Sequence, residues 1–289
     1  MSGRWSVWFH NEDGSSSPSI GEFAQRGSRL FGTFVNPDGD YRYLAGYVDG
    51  NRFALSTFDG AHAYLFTGEA NEEKISNASY WSGNAFFQTW SAVRDPDAAL
   101  PDPYDRTRLR ADAERLTFEF PNEKGEMVSL QDERYAGKVV IVALAGTWCP
   151  NCNDEARYLS RLYNDHQDDG LEIVNLMFEH FDDAEVAAEQ IRKYREKHAI
   201  EYETLVAGIS DKTRAAQQLP QLDAVWAFPT TIFVDRTGRV RTIHTGFRGP
   251  GTGKHFEQQK DEFQSLVVEL IAEQDTLIEA EREEPVPAE

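Results

Sequence analysis

Along residues 4–93 apolar and polar positions alternate in short runs rich in aromatic and β-branched side chains. These runs are Trp5 to Phe9, Leu30 to Val35, Tyr41 to Val48, Arg52 to Thr57, His62 to Phe66 and Ala85 to Ala92. The turn signals Asp13-Gly14, Asp38-Gly39, Asp49-Gly50 and Asp59-Gly60 divide them. A spacing of about ten residues is that of sheets built from hairpins, so residues 1–93 are expected to form an antiparallel all-β sandwich or barrel domain. No cluster of titratable residues stands out there. His10 and His62 stand alone in the sequence and read as surface or packing residues.

Between Arg94 and residue 113 the pattern breaks. Pro96, Pro101 and Pro103 lie among Asp95, Asp97, Asp102 and Asp105, a composition that suits an extended connector. Residues 94–113 are therefore read as the linker between two domains.

From Leu116 strand and helix signals alternate, the pattern of an α/β domain over residues 114–274. Leu116 to Phe120 and Met127 to Leu130 flank Glu123-Lys124-Gly125 and predict a hairpin. The continuous apolar run Val139 to Leu144 is what a central strand covered on both faces requires. A helix is expected from Pro150 to about Gln167, with Leu159, Leu162 and Tyr163 facing inward. Leu171 to Phe178 reads as the next buried strand, and Asp182 or Asp183 can cap a helix running to His198. Tyr202 to Val206, a short helix near Lys212 to Leu219, and strands Thr230 to Val234 and Val240 to Thr245 follow. A last helix carries Phe256, Phe263, Val267, Leu270 and Ile271 at helical spacing. Residues 275–289, ending in a stretch rich in Glu and Pro, are expected to be an acidic disordered tail.

Composition narrows the function classes. The chain of 289 residues is 40% hydrophobic and 12% aromatic, enough for two cores without disulfide staples. Its longest apolar run, Val139 to Ala145, is too short for a bilayer, so no integral membrane segment is expected. A net charge of −20 repels phosphate backbones and argues against nucleic acid as a partner. Gly249-Pro250-Gly251-Thr252-Gly253-Lys254 resembles a phosphate loop only superficially. The Walker pattern needs Gly where Arg248 stands and Ser or Thr where His255 stands.

The chain has two cysteines, Cys149 and Cys152, in a C-x-x-C sequence between the buried strand and a helix. A thiol at a helix start meets unpaired backbone N–H groups and the positive end of the helix dipole, both of which stabilise a thiolate. Cys149 is therefore the expected nucleophile, with Pro150 suited to the first helical turn and Cys152 the less exposed, resolving thiol. Zinc is the other use of such a pair, but a closed zinc site wants four ligands. The remaining candidates His166, His180, His198, His244 and His255 are scattered, so no metal is expected.

At these residues the chain resembles the thioredoxin-fold superfamily, and within it the TlpA/ResA-like extracytoplasmic thiol-disulfide oxidoreductases. The resemblance covers about residues 114–274. It rests on the C-x-x-C, the hairpin with Gly137-Lys138 before the central strand, Trp148, Glu155, and Phe228-Pro229-Thr230-Thr231-Ile232-Phe233-Val234-Asp235, which looks like the family's cis-proline strand. It implies a thioredoxin-like domain with a central mixed sheet flanked by helices, and Trp148, Pro150, Phe228, Pro229, Gly246 and Phe247 around the substrate. The first domain, with Gly39-Asp40-Tyr41-Arg42-Tyr43-Leu44 and Ser56-Thr57-Phe58-Asp59-Gly60, also looks like an N-terminal region of some bacterial members.

Thioredoxin carries a buried Asp six residues before its first cysteine, whereas this chain has Ala143. Glu155, where the TlpA/ResA-like group carries an acid, becomes the candidate proton handler; its alternative role is to complement the helix dipole together with Asp154. Peroxiredoxins share the fold, but their pattern implies Thr three and Pro seven residues before the reactive cysteine. Gly146 and Val142 hold those places before Cys149, and Cys149 and Ala145 before Cys152.

The expected activity is thiol-disulfide exchange with protein thiols and disulfides and with an upstream thiol reductant or oxidant. No cofactor is implied beyond the redox-active Cys149–Cys152 disulfide, and no pattern specifies an oligomeric state. The alternative is a copper-handling, metal-delivery protein of the same fold, since a thiolate pair also suits Cu(I). Copper-delivering relatives pair a wider-spaced cysteine motif with a specific His, and none is identifiable here. The resemblance implies a periplasmic or membrane-facing setting. Met1-Ser2-Gly3-Arg4-Trp5 lacks the basic and apolar regions of a signal peptide, so the setting is cytoplasmic if the sequence is complete.

Overall fold

The computed structural model describes residues 1–283. Its first domain is a closed barrel of eight antiparallel strands. They are β1 (Gly3–His10), β2 (Ser16–Arg26), β3 (Arg29–Asn36), then, after the two-residue β4 (Gly39–Asp40), β5 (Leu44–Asp49), β6 (Arg52–Phe58), β7 (Ala63–Ala70), β8 (Lys74–Ser82) and β9 (Phe86–Arg94). Each pairs with its neighbour along the chain, β4 hangs on β3, and β9 returns to β1 to close the ring. Closure leaves no long free edge. The period-two pattern sends Trp5, Val7 and Phe9 of β1, and Phe53 and Leu55 of β6, into the lumen. Phe34, Phe66, Tyr80 and Trp90 join them, Phe66 stacked on Tyr80 at 4.5 Å. The interior is thus a packed aromatic core.

The sequence pattern missed two of these strands. β2 carries Pro18, Gly21, three serines and a glutamate among its first seven residues, side chains that favour strands poorly. In β8 the register shifts between Ile75 and Ala78, and Asn77 takes a positive φ of 48° at that bulge. Barrel pairing supplies what local propensity lacks.

Residues 94–113 connect the two domains as a strip docked on both. Asp95 accepts from the Ser6 hydroxyl at 2.6 Å, and Ala98 is buried beside Ile20 and Val35 of the barrel. Further on, Arg110 N–H donates to Gln221 O at 2.8 Å and Thr107 N–H to Thr245 Oγ1 at 3.2 Å. Backbone groups next to a folded surface find partners there, and that fixes the connector.

The second domain opens with the hairpin β10 (Glu119–Pro121) and β11 (Met127–Ser129). A mixed sheet follows, made of β12 (Val139–Ala145), β13 (Leu171–Glu179), β14 (Glu203–Ile209), β15 (Thr230–Val234) and β16 (Val240–Thr245), in the order β14-β13-β12-β15-β16. β12, β13 and β14 are parallel, while β15 and β16 run antiparallel to their neighbours. All seven residues of central β12 are buried, as its unbroken apolar run requires. The helices are α1 (Pro150–His166), α2 (Ala184–His198), α3 (Lys212–Gln218) and α4 (Lys254–Glu283). Asp183 caps α2 through the N–H groups of Glu185 and Val186, and Asp211 caps α3.

The tail expected from residue 275 falls partly on α4, which continues to Glu283. Leu, Ala, Glu and Arg in this stretch are good helix formers, so the helix propagates past the last core position. The rest of that tail, residues 284–289, lies outside the described residues. No described helix is long and apolar enough to cross a membrane.

Candidate active site

Strand β12 leads through Gly146 and Thr147 to the cysteines at the start of α1. Cys149 is the N-cap residue, with extended backbone, and Pro150 takes the first helical position. The Cys149 sulfur accepts the Cys152 N–H at 3.2 Å, and its thiol donates to the Phe228 carbonyl at 3.4 Å. The sulfur thus caps the helix, facing a donor that favours its thiolate. Both cysteines are free. The expected contrast in exposure is small, since Cys149 is 4% and Cys152 1% exposed. Cys149 is covered because the Phe228 backbone lies on the thiol and the barrel reaches the neighbouring Asn151. Burial first, then the hydrogen bond and charge of Cys149 and the charge of Glu155, push the Cys152 thiol well above its ordinary value.

The Phe228–Pro229 peptide is cis, and both residues are buried beside Cys149. Gly246 N–H donates to Pro229 O at 2.8 Å, which joins the loop after β16 to this segment. Phe247 does not line a substrate surface. It is fully buried against Tyr158, Phe256 and Phe263, because a phenyl ring between α1 and α4 gains more from burial than from a rim position. Trp148 is half-buried. Its indole N–H donates to Phe178 O at 2.8 Å and its ring stacks on His180 at 4.6 Å.

Glu155 is 1% exposed and, among the described residues, has no basic partner; its Oε1 accepts from the Thr231 hydroxyl at 2.5 Å. Burial raises its pKa to about 8, with the Thr231 hydrogen bond opposing. Ala143, where thioredoxin has its acid, is fully buried in β12. Glu155 lies one helical turn beyond Cys152 and acts on that thiol's charge.

Five further side chains, Asn153, Lys197, His198, Glu179 and Tyr194, hold the redox turn, none of them evident in the sequence. The Asn153 amide donates to Thr147 O at 3.1 Å and Cys149 O at 2.9 Å, while its oxygen accepts from Lys197 Nζ and His198 Nε2, both at 2.8 Å. Burial, then the Lys197 and Arg157 charges, lower the His198 pKa to about 4, so the ring is neutral at physiological pH and donates through Nε2. Glu179 accepts from Thr147 N–H at 2.9 Å and from its hydroxyl at 2.7 Å, and the Tyr194 hydroxyl donates to Cys152 O at 2.7 Å. Each partner lies thirty or more residues away in sequence, except those within the turn, so only folding brings them together. Asn153→Ala strands two carbonyls and the His198 N–H in the interior. A loss of about 2–4 kcal/mol is expected in urea unfolding.

Residues 112–243 match the AhpC/TSA family model, a span that includes the C-x-x-C turn and the Phe228-Pro229 strand. Over that span the chain is similar to the thioredoxin-fold AhpC/TSA family. The thiol-disulfide oxidoreductase ResA of Halalkalibacterium halodurans is 25% identical over 165 residues, 56% of this chain and 80% of its own length. The thioredoxin-like protein YneN of Bacillus subtilis is 28% identical over 144 residues, 50% of this chain and 75% of its own. Among solved structures, a thiol:disulfide interchange protein of Chlorobium tepidum TLS is 19% identical with a TM-score of 0.42, covering 56% of this chain and 99% of that one. The barrel lies outside the span that the family model matches.

The barrel nevertheless touches the thioredoxin domain beside the cysteines. Arg42 pairs with Asp154 of α1, and Asp40 accepts from Gly249 N–H at 2.6 Å. His62, solitary in the sequence, is held by Asp59 at 3.0 Å and stacks on Tyr64. Among the described residues no group of three or more His, Cys, Asp or Glu side chains is arranged to hold a metal ion.

Proposed function

We propose that this protein is a thiol-disulfide oxidoreductase that exchanges the Cys149–Cys152 dithiol with protein substrates through a mixed disulfide on Cys149. The observation that carries the reading is the Cys149 sulfur itself, capping α1 within 3.2 Å of the Cys152 N–H. In the reducing direction the Cys149 thiolate attacks one sulfur of a substrate disulfide. That S–S bond breaks, the second substrate sulfur leaves as a thiol after taking a proton, and the first is now bonded to Cys149. The Cys152 thiolate then attacks Cys149, frees the first substrate thiol and closes the Cys149–Cys152 disulfide. Two electrons pass to the substrate, and an upstream dithiol restores the enzyme; oxidation of a substrate is the same sequence reversed.

Cys152 must lose its proton in the second step although its surroundings disfavour the thiolate. Glu155, with a pKa near the working pH, takes that role as an internal proton acceptor. Phe228 and Pro229 present the backbone edge along which an extended substrate segment can lie. The reading carries with it an extracytoplasmic setting, by the resemblance to the TlpA/ResA-like group.

Trapping tests the mechanism. Cys152→Ser removes the resolving thiol but not the attacking one, so incubation with a protein disulfide is expected to accumulate a covalent adduct that dithiothreitol releases and whose linkage maps to Cys149. An adduct that fails to form while wild-type protein reduces the same substrate would overturn the assignment of Cys149 as nucleophile.

A further inference from the structure

The loop between β3 and β5, residues 37–43, is anchored in both domains. On the barrel side Tyr41 is set in the aromatic core, 5.1 Å from Tyr64, 5.2 Å from Phe66 and 5.3 Å from Tyr80 between ring centres. On the thioredoxin side the neighbouring residues reach across. Arg42 pairs with Asp154, whose side chain is 1% exposed, and donates to the Pro150 carbonyl at 3.5 Å. Buried Asp40 accepts the N–H groups of Gly249 and Arg42, both at 2.6 Å. The Asn151 amide, between the two cysteines, donates to Asp38 O at 3.5 Å.

The approach is so close that side chains have been given up on both sides. A Cβ on Gly39 would collide with the Asn151 amide, and one on Gly246 would stand 2.7 Å from Pro37 O. Arg42 is held at a positive φ of 62°, a conformation that a non-glycine residue keeps only where its surroundings impose it.

Pro150, Asn151 and Gly246 therefore bear the loop directly beside the redox turn and the Phe228-Pro229 segment, where Cys149 is 4% exposed. We propose that the 37–43 loop is a fixed wall of the substrate groove that sorts substrates by bulk: small disulfides and extended, flexible segments reach Cys149, and disulfides set in a folded surface do not. This rests on the oxidoreductase reading above and specifies its substrate class. A wall fits the geometry better than a lid, because releasing the loop would expose the buried Asp40 and Asp154 carboxylates and pull Tyr41 from the barrel core. Exchange depends on access to the sulfur as well as on its thiolate fraction, so a rigid obstruction beside Cys149 acts on rate without touching the thiols.

The test uses the full chain in its reduced form and two substrates with the same leaving group: a short unstructured peptide and a folded protein, each carrying one glutathionylated cysteine. Rates are normalised to those of dithiothreitol, which removes the intrinsic difference between the substrates. Wild type is expected to favour the peptide by about tenfold or more. Arg42→Ala, which unfastens the loop, and Gly39→Ala, which pushes it off Asn151, are expected to collapse that preference by raising the folded-substrate rate, while Arg42→Lys retains most of it. Near-ultraviolet circular dichroism reports whether the aromatic barrel survives in each variant. A wild type that treats both substrates alike after normalisation overturns the wall, as do folded Arg42→Ala and Gly39→Ala proteins that keep the wild-type preference. A wild type inert toward both substrates overturns the oxidoreductase reading instead.

Discussion

Cys149→Ser is expected to abolish disulfide exchange, with a fall of several orders of magnitude in the rate of protein-disulfide reduction. A serine hydroxyl does not ionise near neutral pH, and an alkoxide cannot form the disulfide that the second step resolves. Stability is expected to move the other way or not at all. Cys149 is the N-cap of α1, its sulfur accepting the Cys152 N–H, and serine is among the preferred residues there. Loss of exchange with an unchanged or slightly raised Tm separates a missing nucleophile from a damaged fold. Residual exchange above about a hundredth of the wild-type rate in the serine variant would mean that Cys152 attacks on its own account.

Glu155→Gln is expected to change both the pH profile of the thiols and the pH dependence of stability. The carboxyl is buried, lacks a basic partner among the described residues and has its pKa raised to about 8. In the unfolded chain a glutamate titrates near the ordinary carboxylate value of about 4.3. Between these values the folded protein holds a proton that the unfolded chain has released, so stability is full below the lower value and falls as pH rises through the upper one. Glutamine keeps the Thr231 hydrogen bond and removes the titration. The variant should therefore gain on wild type as pH rises from about 4 to 8, by a few kcal/mol at the upper end. Urea unfolding at pH 5 and pH 9 measures it, and equal differences at the two pH values would show that Glu155 does not titrate in this window.

The same variant reports on the dithiol. The Glu155 charge is one of the causes that raise the Cys152 thiol, so its removal is expected to shift the thiolate-forming step of the coupled pair to lower pH by about one unit. An iodoacetamide rate profile reads this directly. Superimposable profiles would return Glu155 to complementing the helix dipole, although its burial away from solvent and its bond to Thr231 already favour the interior role.

The candidate site was legible in the sequence because it is local. A continuous apolar strand, a C-x-x-C and a helix beginning at Pro150 follow one another within thirty residues, and their order dictates that Cys149 stands at the helix start. The alternation of Trp5, Val7 and Phe9 likewise announced a strand with one buried face, but period two is common to sandwiches and barrels. Closure depended on β9 returning to β1, and on β2 and β8, whose prolines, glycines, serines and bulge carry little strand signal of their own.

The structure alone decided the rest, because burial and pairing are properties of surfaces that meet, not of segments. Phe247 looked like a rim residue and became core between α1 and α4. The acidic connector read as extended, and the contacts that pin it along both domains come from residues far along the chain. Glu155 could have faced water or the interior; its partner Thr231 lies 76 residues away, and only the packing of β15 beside α1 chose between them. Arg42 and Asp40 lie in a motif that the sequence singled out but could not place beside the cysteines, since the charge and the N–H that they meet are supplied by Asp154 and Gly249, far along the chain. Sequence placed the two thiols at the start of a helix; tertiary contacts determined their exposure and their proton affinity.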